Sequence, residues 1–271
     1  MPELPEVETT RRGIEPWLVG RRIERLVVRE PRLRWRVPRR LPGQVRGATV
    51  HSVGRRAKYL LIATDAGTLI WHLGMSGSLR VLDADAPTLA HDHVDLVLDS
   101  GRCLRFNDPR RFGSLLFTAT DPARHPLLAA LAPEPLSAEF DAGQLWRRAR
   151  GRRASIKSFI MDSRAVVGVG NIYASEALFR AGIRPGLAAG RVSRARMAAL
   201  VVAIREVLGE AIGVGGTTLR DYVDPAGAPG YFARKLFVYE RERKPCRRCG
   251  VPIRRFTQGQ RSTYWCPGCQ R

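Results

Sequence analysis

Four cysteines near the end of the chain constrain its fold more than any other feature. Cys246 and Cys249 form one Cys-x2-Cys pair, and Cys266 and Cys269 form a second pair after sixteen intervening residues. A hairpin that joins two such pairs gives four soft ligands in a closed tetrahedron, the arrangement of a structural zinc site. A disulfide pair or a redox couple is the competing interpretation, and an intracellular location disfavours both. The spacing therefore predicts a zinc finger whose metal stabilises structure and performs no chemistry.

The charge balance indicates what the chain binds. Lys and Arg number 46 against 25 Asp and Glu, which gives a formal net charge of +21 and a pI near 11.2. Nucleic acid is the first candidate partner, although an arginine-rich genome composition would also raise the charge. Charge alone therefore predicts binding and not catalysis. Five arginines make the predicted finger a basic hairpin suited to the DNA backbone: Arg247, Arg248, Arg254, Arg255 and Arg261.

Length and hydropathy place the chain among soluble globular proteins. Its 271 residues, 44% of them hydrophobic, are enough for two domains with real cores. No apolar run reaches the roughly 20 residues of a membrane helix, and the N-terminus is acidic rather than signal-like. We expect a soluble intracellular protein without a membrane partner. Cys103 stands alone in a β-like stretch, which predicts a buried, inert thiol.

The first half of the chain reads as one helix followed by short strands. Residues 5–18 have a helical pattern, and Pro16 predicts a break or kink late in it. Alternating segments then recur between Gly, Pro and Asp turns, which predicts an antiparallel sandwich or barrel. The clearest of these segments are Arg22–Glu30, Leu33–Val37, Tyr59–Thr64, His93–Leu98 and Ser114–Phe117.

The second half is helical. A connector rich in Ala, Pro and Leu covers residues 121–139, and the clearest helices after it are Ile156–Met161, Asn171–Ala181 and Arg194–Ile212. Gly168 and Gly170 precede Asn171 but lack the third glycine of a dinucleotide fingerprint. A tight turn that presents backbone amides and Asn171 to a phosphate fits better, and Asn171 can also cap the helix. We predict domains over residues 2–134, 135–235 and 236–271.

The N-terminal residues suggest a nucleophile. Removal of Met1 would leave Pro2 with a secondary amine beside Glu3 and Glu6. The pKa of an α-amino group, about 7.7 to 8.0, leaves part of it unprotonated near neutrality, and its attack on an aldehyde-like carbon gives an electron-withdrawing iminium. A helix start with Pro5 in its first turn and glutamates on the helix dipole explains the same residues without chemistry.

Several motifs in order resemble the formamidopyrimidine-DNA glycosylases, a bacterial base-excision repair family, along essentially the whole chain. They are Pro2-Glu3-Leu4-Pro5-Glu6, Arg56-Ala57-Lys58-Tyr59, His72-Leu73-Gly74-Met75-Ser76-Gly77, Asp108-Pro109-Arg110-Arg111-Phe112-Gly113, Gly168 to Glu176, Gly215-Gly216-Thr217-Thr218 and the four cysteines. The resemblance implies an α+β multidomain fold: an N-terminal antiparallel β-sandwich, a helix-two-turn-helix domain and a C-terminal zinc finger. It also implies one structural Zn²⁺ and no organic cofactor.

The resemblance implies a bifunctional glycosylase and lyase. Pro2 would attack C1′ of a nucleotide carrying 8-oxoguanine or a formamidopyrimidine, with Glu3 as proton donor and Glu6 in support. Successive β- and δ-eliminations would then nick the strand. Because a duplex hides these atoms, the nucleotide must be extruded, and Met75, Arg110 and Phe112 match the family's void-filling residues. By ordinary burial statistics Met75 and Phe112 would be core residues, but the neighbouring glycines favour loop tips.

Further residues correspond to family positions that grip DNA. Lys58 would also assist departure of the base, and Arg261 the later elimination; for His91, Arg152 and Lys157 a plain solvent-facing role competes. The glycine-rich stretch 213–233 resembles a lid over the extruded base, through Thr217, Thr218 and Tyr231, although some such loops are simply disordered. The phosphate-gripping set is Lys58, His72, His91, Arg152, Lys157, Asn171, Tyr239 and Arg261.

Two other functions compete with this prediction. An endonuclease VIII-like glycosylase for oxidised pyrimidines shares the Pro-Glu start, but the Leu4-to-Glu8 continuation and the Arg110 and Phe112 pair favour purine repair. A zinc-finger protein that binds DNA without catalysis would form no covalent adduct. The expected partner is damaged double-stranded DNA, bound by a monomer in the bacterial cytoplasm.

Overall fold

The computed structural model describes residues 2–216 and 236–271, which form two compact units. The N-terminal unit contains residues up to 129 together with 214–216, and the C-terminal unit contains residues 130–213 and 236–271. No helix in these described ranges is long and apolar enough to cross a bilayer.

The N-terminal unit is a helix followed by two four-stranded antiparallel sheets. Helix α1 is Leu4–Leu18, and the strands are β1 (Ile23–Val28), β2 (Val50–Arg56), β3 (Tyr59–Thr64), β4 (Gly67–His72), β5 (Ser78–Asp83), β6 (Asp92–Leu98), β7 (Arg102–Asn107) and β8 (Ser114–Thr118). The sheet orders are β1-β6-β7-β5 and β2-β3-β4-β8. Inward-facing side chains fill one core, in which Trp71 meets Phe106 edge-on. Short helices α2 (Leu41–Val45) and α3 (Pro126–Ala129) lie between and after the strands. The predicted antiparallel sandwich is confirmed.

Two local predictions were wrong. Helix α1 reaches Leu18 as predicted, but the predicted break at Pro16 is absent, because this residue sits in the last turn, where it removes only one intrahelical bond, and because Ile14 and Leu18 are fully buried. Residues 33–37 form no strand and have only an isolated bridge between Arg32 and Arg36. Leu33 and Val37 face the core while the residues between them are exposed, so a loop lying on the core produced the strand-like alternation.

The C-terminal unit is helical and ends in a hairpin. Its helices are α4 (Ala142–Ala149), α5 (Ile156–Ile160), α6 (Asn171–Arg180) and α7 (Arg194–Gly213), and its strands are β9 (Arg254–Gln258) and β10 (Arg261–Trp265). Helix α4, which the sequence pattern did not reveal, begins where the Asp141 carboxylate accepts a hydrogen bond from Gln144 N at 2.8 Å. Helix α6 is buried from Ile172 to Phe179, so the neighbouring elements pack around it.

Candidate active site and nucleic-acid-binding residues

Two buried carboxylates begin helix α1. Glu3 and Glu6 are each 1% exposed, and Pro2 before them is also buried. The backbone N–H of Glu3 donates to Glu6 Oε2 at 2.8 Å, so Glu6 fixes the chain direction at the residue that follows Pro2. Glu3 and Glu6 therefore both cap the start of the helix and form an acidic site. Buried carboxylates beside Pro2 are equipped to hold and transfer protons.

Gly216 approaches the same carboxylate from the far end of the described N-terminal unit. Its φ is +81°, and a Cβ at this position would lie 3.0 Å from Glu6 Oε1. Any side chain would therefore press on the carboxylate, and the left-handed backbone favours glycine as well. The predicted lid residues Thr217, Thr218 and Tyr231 lie outside the described residues.

Lys58 and His72 lie at the same end of one sheet, Lys58 just before β3 and His72 as the last residue of the neighbouring strand β4. Lys58 lies in the turn between β2 and β3, after Ala57, whose φ of +54° is in the left-handed region. Burial first, then the charges of Lys58 and Arg34, lower the pKa of His72 to about 4. Its Nδ1 accepts the N–H of Gly74 at 2.9 Å, which leaves the proton of the neutral ring on Nε2. His72 is therefore an uncharged hydrogen-bond donor at neutral pH.

The loops that carry the predicted void-filling residues pack backbone against backbone. A Cβ on Gly74 would overlap Gly113 N and the Phe112 carbonyl carbon, which requires glycine there. Phe112 is 44% exposed, and the Arg110 guanidinium lies 4.9 Å from the centre of its ring. Met75 is half-buried. A loop-tip position, rather than a core position, is correct for Phe112.

A fully buried carboxylate joins these two loops, and sequence reasoning missed its role. Asp108 Oδ1 accepts the Ser76 hydroxyl at 2.8 Å, and Oδ2 accepts the Gly113 N–H at 2.7 Å. The N–H of Arg110 in turn donates to Ser76 Oγ at 3.3 Å. Asp108 therefore fixes the segment 108–113 against the segment that contains Met75. The available signal was the position of Asp108 and Ser76 inside two of the family-like motifs.

His91 stands at the end of a braced loop. It is exposed and has a φ of +70°. The buried guanidinium of Arg105 donates to the carbonyls of Ala86 and Pro87 at 3.1 and 2.9 Å, and Asn107 Nδ2 donates to Ala90 O at 2.9 Å. A buried cation paired with Asp95 thus holds the loop that presents His91.

The four C-terminal cysteines come together as the spacing predicts. Their Sγ atoms all lie within 4.8 Å of one another, and strands β9 and β10 form the hairpin between the two pairs. Four thiols in one closed group fit one structural Zn²⁺. Such a site has no open coordination position for a substrate. Cys103, by contrast, is fully buried in the N-terminal unit, where burial raises the pKa of its thiol.

Arg261 lies beside the tip of this hairpin. Gly259 and Gln260 both have positive φ, as a two-residue type I′ turn requires, and Arg261 follows them as the exposed first residue of β10. Two other predicted residues hold the same strand. Lys157 is 2% exposed, and its Nζ donates to Thr263 Oγ1 at 2.9 Å, whereas Asn171 Nδ2 donates to Ser262 O at 3.1 Å. A solvent-facing Lys157 is therefore wrong, and contact of Lys157 or Asn171 with phosphate stays a prediction.

Glu176 is a second residue that sequence reasoning missed. Its buried carboxylate accepts three backbone N–H groups, from Phe237 at 2.8 Å and from Val238 and Tyr239 at 2.9 Å. Burial raises its pKa despite these bonds. The carboxylate fixes the chain just before the zinc hairpin and so positions Tyr239, whose ring meets Tyr264 at 5.2 Å. Arg152 is exposed in the loop after α4.

Comparisons with known proteins match formamidopyrimidine-DNA glycosylases along the length of the chain. Three family models match: the formamidopyrimidine-DNA glycosylase N-terminal domain over residues 1–115, its H2TH domain over 131–223, and a zinc finger found in FPG and IleRS over 243–271. Formamidopyrimidine-DNA glycosylases from Thioalkalivibrio sulfidiphilus and Syntrophotalea carbinolica are 61% and 59% identical over 271 residues, with both chains fully covered.

Solved structures give the same result. The MutM (FPG) protein of Thermus thermophilus is 41% identical with a TM-score of 0.90, covering 99% of this chain and 98% of the other. The Lactococcus lactis Fpg in complex with abasic-site DNA is 32% identical with a TM-score of 0.92, covering 99% of both chains. A Lactococcus lactis Fpg mutant bound to Fapy-dG DNA is 33% identical with a TM-score of 0.93 and full coverage of both chains.

Proposed function

The chain belongs to the formamidopyrimidine-DNA glycosylase family, and from this premise we propose that it excises oxidised purines from duplex DNA and then nicks the strand. The substrates are 8-oxoguanine and formamidopyrimidines, and the nick is an abasic-site lyase reaction. The observation that carries this proposal is the pair of buried carboxylates in the turn that follows Pro2, in which Glu6 accepts a hydrogen bond from the backbone N–H of Glu3.

Base removal uses the amine of Pro2 once Met1 has been removed. The nitrogen attacks C1′ and loses its proton, while the bond from C1′ to the base breaks and the base leaves with that electron pair. Glu3 protonates the sugar ring oxygen, so the ring opens to an iminium between Pro2 and C1′. Lys58 assists by protonating the departing base. Glu6 supports the step because its hydrogen bond to Glu3 N holds the catalytic glutamate in place.

Strand cleavage follows from the iminium. Because the cationic nitrogen withdraws electrons, the proton on C2′ becomes acidic, and its removal expels the 3′ phosphate. A second elimination expels the 5′ phosphate, and hydrolysis then frees Pro2. Glu3 relays the protons, and Arg261 assists the later elimination through its guanidinium charge. A gap flanked by phosphates results.

DNA binding and nucleotide extrusion involve both units. Met75 and Phe112 fill the space left by the extruded nucleotide, and the Arg110 guanidinium pairs with the orphaned base. His72 donates its Nε2 proton to a phosphate as a neutral group, which its lowered pKa supports. The remaining phosphate contacts come from His91, Arg152, Lys157, Asn171 and Tyr239, and the lid contacts from Thr217, Thr218 and Tyr231. The domain bounds 2–134, 135–235 and 236–271, the monomeric state and the bacterial cytoplasm are part of the same proposal.

The zinc ion has a structural role in this scheme. Cys246, Cys249, Cys266 and Cys269 hold it, and when bound it fixes the fold of the hairpin that presents Arg261. The catalytic residues of the N-terminal unit need no organic cofactor.

Borohydride trapping on 8-oxoguanine DNA tests the proposal. Wild type should form a covalent adduct with the sugar, Pro2→Gly should lose most of it, and Glu3→Gln should cut base excision strongly. Glu8→Gln is the matched control, since Glu8 lies five residues after Glu3 on the same helix and pairs with Arg11 and Arg55. Undiminished trapping without Pro2, or an intact Met1 in fully active protein by mass spectrometry, would refute the mechanism.

A substrate comparison separates the competing functions. The proposed enzyme should nick 8-oxoguanine opposite cytosine faster than thymine glycol, and an endonuclease VIII-like enzyme should show the reverse. A DNA binder without catalysis should nick neither and form no adduct.

A further inference from the structure

We propose that the C-terminal unit carries a second nucleic-acid site, a groove that binds an unpaired DNA strand. This site goes beyond the proposed function and involves none of its catalytic residues. The groove, about 620 Å³ in volume, runs between residues 184–191 and the zinc hairpin. Among the described residues no acid lines it, and its distinctive side chains are Arg184, Arg191, Arg254, Arg255, Phe256 and Trp265.

The positive charge of this groove is mostly uncompensated. Arg255 pairs with Glu242 at 2.9 Å. Within the described part of the chain, Arg184, Arg191 and Arg254 have no carboxylate within ion-pair distance. Three guanidinium groups that have no ion-pair partner among the described residues create a potential around this cleft that favours a polyanion, and their planar forks suit phosphate oxygens.

The aromatic lining determines which polyanion fits. The Arg184 guanidinium lies 5.1 Å from the centre of the Trp265 ring, and both Trp265 and Phe256 are half-buried. Bases of a single strand stack on such rings, whereas the bases of a duplex are already stacked on one another. Phosphate on the arginines and a base on the rings therefore specify an unpaired strand.

Both walls of the groove are fastened to the same short helix. Ile156 N donates to Leu187 O at 2.7 Å, which holds the loop wall. Lys157, the next residue, holds the hairpin wall through Thr263. Because the two walls share one anchor, the backbone of the groove is in place before a ligand arrives.

The groove is separate from the hairpin tip. Arg254 pairs with Trp265 at the zinc end of the hairpin, and Gln258 pairs with Arg261 at the tip. Four residues of strand separate the two ends, a distance of about 13 Å. The groove and Arg261 therefore lie at opposite ends of the hairpin, and a strand in the groove need not use the contacts of Arg261.

Fluorescence anisotropy with labelled dT10 and the zinc-loaded full chain tests the site. Arg184→Gln/Arg191→Gln should bind dT10 about tenfold more weakly, and the slope of log K against log salt should fall by about 1.4, the value for two lost single-strand phosphate contacts. The control is Arg25→Gln/Arg46→Gln. These arginines line a cleft of about 660 Å³ that also contains Glu24 and has no aromatic ring. The control should match wild type within about twofold.

Two further measurements keep the proposal falsifiable. Trp265→Phe should retain dT10 binding, and Trp265→Leu should lose it. Zinc content shows whether each variant is folded. If Trp265→Leu loses zinc, the result for Arg184→Gln/Arg191→Gln tests the proposal instead. Saturating duplex with a reduced abasic site should leave dT10 bound. The proposal would be overturned if both double variants lost dT10 binding equally or if the duplex displaced dT10. It would also be overturned if the Arg184→Gln/Arg191→Gln variant lost lesion cleavage in parallel, or if the protein bound rU10 but not dT10. Borohydride trapping reports the catalytic function independently.

Discussion

The two units fix an exposed arginine in different ways. In the N-terminal unit, Arg110 lies on a loop held by the buried Asp108 carboxylate, through hydrogen bonds to Ser76 and Gly113. In the C-terminal unit, Arg261 lies on a hairpin whose base is four clustered thiols. The first loop rests on a large sandwich core, so two hydrogen bonds suffice. The hairpin has only a small apolar cluster, and a small fold of this kind needs a metal.

Removing zinc should have the largest effect, because the C-terminal hairpin that carries Arg261 depends on it while the Arg110 loop does not. Cys266→Ser or chelation should unfold the hairpin, because metal binding supplies about 10 kcal/mol or more of the folding free energy of such a finger. Nicking of lesion duplex should then fall by at least about a hundredfold. Zinc content, circular dichroism and a nicking assay measure the effect. Cys103→Ser is the control, since this thiol lies in the N-terminal unit, and it should keep zinc and activity. Full nicking by zinc-free protein would contradict the prediction.

Asp108→Ala tests the carboxylate that holds the Arg110 loop, as the metal holds the C-terminal hairpin. It leaves the Ser76 hydroxyl and the Gly113 N–H without an acceptor, at a cost of about 1–3 kcal/mol for each buried group. Excision from lesion duplex should fall about ten- to a hundredfold. Cleavage of a single-stranded abasic site, which leaves no orphaned base, should change less than about twofold.

Asp108→Asn is the matched variant. Its amide oxygen can accept from Gly113 and its amide nitrogen can donate to Ser76 Oγ, so it should keep most duplex activity. Equal losses on the duplex and on the single strand would argue against a positioning role for Asp108.

Glu176→Gln tests how much the buried carboxylate contributes to the stability of the C-terminal unit, where a metal also holds the hairpin. Glutamine has one carbonyl oxygen for three backbone N–H groups, and its own N–H would face one of them, so the unit should lose about 2–3 kcal/mol of stability. Urea unfolding measures this loss. Glu206→Gln, at an exposed ion pair with Arg180, should change stability by less than about 0.5 kcal/mol. Similar losses in the two variants would remove the special role of Glu176.

The smallest effect concerns His72 and pH. In the unfolded chain this histidine binds a proton near pH 6.5, whereas in the folded protein its pKa is about 4. Because only the unfolded state gains the proton in this window, stability should fall as pH drops from 6.5 to 4. His72→Gln should flatten this fall, as measured by urea unfolding at several pH values. The exposed His51→Gln should match wild type. An unchanged slope in His72→Gln would show that the ring is charged when folded.

The sequence predicted elements where local pattern and burial agree. Strand β3 occupies Tyr59–Thr64, as its alternation indicates. Residues 33–37 have the same alternation but form a loop, because burial of Leu33 and Val37 requires no strand partner. Helix α4 escaped prediction because it is short and lies in an arginine-rich stretch, and its cap at Asp141 is a single hydrogen bond.

The sequence by itself determined the zinc ligands, the acidic N-terminus after Pro2, the loop motifs and the excess of positive charge, since each depends on residue types at short spacing. The tertiary structure alone decided which buried groups hold these parts in place. Asp108 meets Ser76 across 32 residues, Glu176 meets Tyr239 across 63, and Lys157 meets Thr263 across 106. No local period encodes such pairs, because a buried polar group is satisfied by whatever donor the packing brings to it.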